Sequence, residues 1–225
     1  MSKRDRSSSA ARRRDSGRRA LALGAVAAAA TAGFVALNAA VVRRETAEVD
    51  EAARKAVAAD PDSTTHEAAE AVKKVGKWYT YIPTAMVASA GVLAAPGERD
   101  WRSRGVGVGA VMLASAVATA LNPTFDKVLP QPPAPPGHPD PNKPVFPSGH
   151  AFGPSAVSLA AAYVASREGI AHPAVAFPVA AVVPLLTAGP RMLVQKHWLS
   201  DVAGGVLGGI AVAAACLAGY EAARG

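Results

Sequence analysis

Residues 20–42 read ALALGAVAAAATAGFVALNAAVV and contain no charged side chain. A bilayer's hydrocarbon core needs about 20 such residues in helical form, since a segment there must satisfy its own backbone hydrogen bonds. Three more stretches, 105–125, 169–190 and 202–220, likewise lack Asp, Glu, Lys and Arg. Two others are shorter or differently marked: 78–96 opens on the aromatic set Trp78, Tyr79 and Tyr81, suited to a membrane interface, and 151–166 extends back toward His150. The pattern predicts an all-α, polytopic membrane bundle of about six transmembrane helices.

Composition agrees with that class. Half of the residues are apolar and 18% are charged, while aromatics make up only 5%. Small residues dominate, and in lipid they let helix backbones approach closely. The formal net charge of +7 invites a nucleic-acid reading, but most of it resides in Lys3, Arg4, Arg6, Arg12, Arg13, Arg14, Arg18 and Arg19, against Asp5 and Asp15. Such a Ser/Arg-rich tail, residues 1–19, directly before an apolar segment reads as a disordered cytoplasmic anchor, with no nucleic-acid partner. A signal peptide is the rival; the apolar stretch is longer than a usual signal core, which favours a retained span. The lone Cys216 lies in the last apolar segment and reads as a small packing residue.

With the N-terminus inside, six spans put three connecting segments on the outer face. The first, 43–77, alternates Ala and Val with charged residues around Asp60-Pro61-Asp62 and reads as two amphipathic interfacial helices. The second, 126–149, is rich in proline and reads as a stiff wall or lid; the third spans 191–201. The inner loop 97–104 carries no catalytic candidate. His138 and Asp140, in the second segment, lack the ligand spacing of a metal site and read as loop surface, as do His66 and His172.

Chemistry concentrates in those outer segments. Pro147-Ser148-Gly149-His150 is followed by Arg191-x5-His197-x3-Asp201. A nucleophilic histidine needs a partner for its second ring nitrogen, and Asp201, four residues after His197, is spaced to provide it. His150 is then free to act as acid. Arg191 offers a planar donor fork suited to phosphate oxygens, and Ser148 with the backbone N–H of Gly149 can complete an anion cradle. These are the parts of a phosphate-ester hydrolase needing neither metal nor cofactor.

In this order the motifs resemble the type 2 phosphatidic acid phosphatase superfamily, whose blocks are Lys-x6-Arg-Pro, Pro-Ser-Gly-His and Ser-Arg-x5-His-x3-Asp. The second block is intact, and the third is intact except for Pro190 in place of Ser. For the first, Lys127 arrives at Ala134-Pro135, so the block's arginine is missing and Lys143 is a candidate substitute. The resemblance implies a bacterial integral-membrane lipid phosphatase, domain 20–225, of the cell membrane, with its active site facing outward. By the same resemblance His197 forms a phosphohistidine, His150 is general acid, Asp201 orients His197, and Lys127, Ser148, Gly149 and Arg191 hold phosphate.

A phosphatidate-like or polyprenyl phosphate lipid is the expected substrate. Two further classes fit the same residues: a catalytically impaired lipid-phosphate binder, motivated by Ala134, and a membrane phosphotransferase using the same intermediate.

Overall fold

The computed structural model describes residues 3–72, 74–96 and 101–224, with side chains from Arg13 onward. Within them the chain is helical and without strands: α1 (Lys3–Val42), α2 (Ala47–Val57), α3 (Thr64–Ala71), α4 (Trp78–Ala94), α5 (Trp101–Val128), α6 (Gly149–Arg167), α7 (Pro173–Leu193) and α8 (Leu199–Arg224). Four of these, α1 from Arg13 together with α5, α7 and α8, are long and apolar enough to cross a membrane. The shorter α4 and α6, with 17 and 19 residues, complete the bundle. Helix α6 is enclosed by α4, α5, α7 and α8, so protein rather than lipid covers most of its surface. That enclosure explains why its sequence is less apolar than a lipid-facing span.

One expectation meets a different structure. The basic segment 1–19, expected to be disordered, is helical from Lys3, and residues 3–16 contain neither glycine nor proline to break α1. An i,i+4 bond from Arg19 Nε to Asp15 at 3.0 Å supports the junction with the apolar part. Most of the inner loop 97–104 lies outside the described residues. Segment 43–77 folds as α2 and α3, with Ser63 capping α3 by accepting the His66 N–H at 3.2 Å.

Close backbone approach organises the centre. A Cβ on Gly205 would lie 2.5 Å from the Ser148 carbonyl oxygen, and one on Gly209 would lie 2.6 Å from that of Phe152. The two glycines, four apart on one face of α8, therefore let α6 dock against it at a separation that any side chain would prevent. Gly153 does the same for the Tyr81 ring. Phe34, Phe125, Phe146 and Phe152 interlock beside this contact, with ring centroids 5.4–5.5 Å apart.

The bundle's two ends differ. At one, buried Glu221 accepts from Arg167 Nε at 2.6 Å and Tyr163 Oη at 2.8 Å, and Glu168 accepts from Tyr220 Oη at 2.6 Å and Arg224 Nη1 at 2.7 Å. Paired this way, the two carboxylates are tolerated in a dry interior. The other end gathers α2, α3, the proline-rich segment and the starts of α4, α6 and α8.

Candidate active site

The Pro-Ser-Gly-His segment is clamped from four directions. Gln131 donates to the Phe146 carbonyl at 2.8 Å while its Oε1 accepts the Val145 and Phe146 amides, which braces the proline-rich segment against the turn. The Phe146–Pro147 peptide is cis. Ser148 opens α6, and its amide donates to the Asp201 carbonyl at 2.9 Å. Tyr81 Oη donates to the Gly149 carbonyl and Thr187 Oγ1 to that of His150, at 2.5 Å for the latter. These bonds fix where α6 begins, and the N-terminus of a helix favours an anion.

His197 lies in the turn between α7 and α8, which α2 holds from outside. Asp50 accepts the Ser200 amide at 2.8 Å and the Ser200 hydroxyl at 2.7 Å, and Arg54 Nη1 donates to Gln195 Oε1 at 2.8 Å. His197 and Asp201 do not lie on one helix. His197 precedes α8, and Asp201 caps that helix by accepting the Trp198 amide at 2.7 Å, leaving 3.5 Å between Oδ2 and His197 Nδ1. Burial, followed by the nearby Arg191 guanidinium, holds the His197 imidazole down to about 4, against a partial offset from a Val145 backbone hydrogen bond and Asp126. It is neutral at physiological pH.

His150 and His197 face a common cavity of about 260 Å³, their ring centroids 6.2 Å apart. Gly149 also lines it, with Lys77, Trp78, Tyr79, Tyr81, Asn122, Asp126, Pro144, Val145 and Pro147. Asp201 and Ser148 are fully buried behind this surface. Arg191 is close to His197 but does not line the cavity, and its Nη1 pairs with Glu70 of α3 at 3.8 Å. Among the described residues, no cluster of three His, Cys, Asp or Glu is placed to hold a metal ion.

The first block is placed differently from its expected alignment. Lys127 is exposed and outside the cavity lining, whereas Asn122 and Asp126 of the same helix line it. One helical turn separates those two, and Lys127 follows 100° further round, which turns it away. Ala134 lines a second cavity with Arg44 and Trp198. Counted from Asn122, which does line the cavity, the block's six-residue spacing arrives at Leu129-Pro130, so that register supplies neither of the block's cations. Lys143, exposed on the loop, lies close enough to Asp126 to interact with it electrostatically.

Most of the other lining residues escaped the sequence reading, Tyr81, Lys77 and Asn122 among them. Tyr81 reads as part of an interfacial aromatic set and Lys77 as the end of the interfacial segment 43–77, while Asn122 had one available signal, as the lone amide in the uncharged segment 105–125.

Fold and site together define an integral-membrane helical bundle with a cavity lined by two histidines at one end. The chain belongs to the PAP2 superfamily, whose family model matches residues 105–224. Its fold is similar to that of a solved structure described as the first transmembrane PAP2 type phosphatidylglycerolphosphate phosphatase from Bacillus subtilis, with a TM-score of 0.66 and 21% identity, covering 83% of this chain and 92% of that one. No curated protein matches the sequence.

Proposed function

We propose that this protein hydrolyses a phosphate ester on a membrane lipid through a phosphohistidine intermediate. One observation carries the reading: two histidines from separate motifs address one cavity at the N-terminus of α6, on an end of a membrane bundle. Neutral His197 attacks phosphorus as the bond to the lipid oxygen breaks, and protonated His150 gives its proton to the leaving alkoxide. Water then attacks the phosphohistidine, His150 takes up a proton, the P–N bond breaks and inorganic phosphate leaves. Asp201 orients the imidazole and the α6 amides stabilise the phosphoryl oxygens, while Arg191, outside the cavity wall, adds positive charge beside His197. The scheme uses no metal or cofactor.

The substrate class follows from position. A cavity at the rim of spanning helices favours a phosphate whose lipid tails stay in the leaflet, and the phospholipid monoester named for the similar Bacillus subtilis structure supports that class. The basic N-terminal segment orients the site outward from the cell membrane under the positive-inside rule. Purified protein in detergent with EDTA should release inorganic phosphate from at least one of phosphatidate, phosphatidylglycerolphosphate and a polyprenyl diphosphate. Absence of release from all three, with retained lipid-phosphate binding, would favour the second reading, an impaired lipid-phosphate binder. Asn122 and Leu129, at the positions of the first block's cations, motivate that alternative.

A further inference from the structure

Phosphoryl transfer depends on cations around the equatorial oxygens, and here the expected ones are absent from the cavity wall or turned away. Among the described residues lining it, one is a lysine or arginine: Lys77, from the connection between α3 and α4. We propose that Lys77 binds the substrate phosphate and takes the place of the first block's missing cations, a role that rests on the phosphatase reading above.

Its backbone is fixed over the site. The Lys77 carbonyl accepts the Thr80 amide at 2.8 Å and the Thr80 hydroxyl at 2.6 Å, which secures the first turn of α4. The preceding Gly76 has φ +80, and a Cβ there would lie 2.8 Å from Thr187 and 3.5 Å from the His150 ring. The left-handed turn at Gly76 therefore seats the loop directly on the catalytic histidine, and a side chain at that position would lift it away.

The ammonium group is available for a ligand. Among the described residues Lys77 has no carboxylate within ion-pair distance, and its Nζ lies 5.8 Å from the centroid of the Tyr79 ring, itself part of the cavity wall. The N-termini of α4 and α6 both border the cavity, adding partial positive charge of the same sign. A compact ammonium tolerates such a shared position, since it needs no bidentate geometry.

The test uses full-length protein in detergent, comparing Lys77→Met and Lys77→Arg with Lys55→Ala, which removes an exposed cation elsewhere on α2. Two quantities are measured: kcat/KM for the best lipid phosphate, and orthovanadate affinity. Lys77→Met should lower kcat/KM by 30-fold or more and weaken vanadate at least 10-fold; Lys77→Arg should recover most of both, and Lys55→Ala should match the parent. A parent that is active and binds vanadate, beside a Lys77→Met protein within twofold in both readouts, would overturn the lysine's role and leave the phosphatase reading standing. A folded parent that neither hydrolyses lipid phosphates nor binds vanadate would remove both. If Lys77→Met and Lys77→Arg are equally impaired but bind vanadate as the parent does, the position shapes the loop and the cation role is wrong.

Discussion

The Ser148 amide donates to the Asp201 carbonyl at 2.9 Å, joining the two motif segments by backbone alone. Through this bond the first turns of α6 and α8 are set against each other, so His150, two residues after Ser148, and His197, four before Asp201, share one cavity. The contact depends on glycine, because the Ser148 carbonyl oxygen lies only 2.5 Å from where a Gly205 Cβ would be.

Gly205→Ala should consequently separate α6 from α8, costing about 1–3 kcal/mol by overpacking and lowering kcat at least tenfold. Gly219→Ala, where the added methyl meets nothing within 4 Å, is the control and should leave both unchanged. Thermal unfolding in detergent and phosphate release check the pair.

His197→Ala should lower turnover by at least 1,000-fold, about 4 kcal/mol in barrier, while the protein remains monodisperse and vanadate binding persists. Residual activity within tenfold of the parent would assign the nucleophile elsewhere.

The pH profile should carry the mark of the buried imidazole. Since protonation removes the nucleophile, the acid limb of kcat/KM should fall near pH 4, well under the ordinary histidine range. Arg191→Gln removes a cation that opposes protonation, so it should move that limb to higher pH besides weakening phosphate binding. Folding stability shares the sign: a chain unfolded below about pH 6.5 takes up a proton that the folded protein resists down to about 4, so this histidine's contribution is full above that window and is lost as pH falls through it.

Asp50 receives the Ser200 amide, the Ser200 hydroxyl and the Thr46 hydroxyl. Asp50→Ala would leave buried donors without partners, a loss of about 1–3 kcal/mol, and would free the turn that carries His197. A lowered unfolding temperature together with a fall in kcat larger than any change in KM is expected; unchanged kcat would show that the turn holds its shape without α2.

Ala134→Arg should leave kcat/KM within twofold, because Ala134 borders the cavity under α2 and not the one containing the histidines. Asn122→Lys, on the wall of the catalytic cavity, should by contrast restore part of the activity lost in Lys77→Met. Steady-state kinetics of the double and single variants separate these outcomes, and additivity of the two changes would mean that the cations act at separate places.

The helical membrane class was legible because it depends on local quantities: uncharged runs such as 20–42 and 202–220 are long enough to cross hydrocarbon wherever they occur in a chain. His150, His197 and Asp201 were legible through spacing within two short segments. What spacing could not reveal was which face each helix turns inward, since that follows from packing between elements far apart in sequence. Lys127 and Asn122 are five residues apart on α5, yet only Asn122 meets the cavity, because the close seat of α6 on Gly205 and Gly209 and the Tyr81–Gly149 bond settle where α6 begins relative to α5. Likewise Lys77 is an unremarkable basic residue before an aromatic run until the Gly76 turn seats it beside His150. Hydropathy and motif order therefore determined the class of protein and its histidine pair, whereas tertiary packing alone decided which cation and which amide line the cavity.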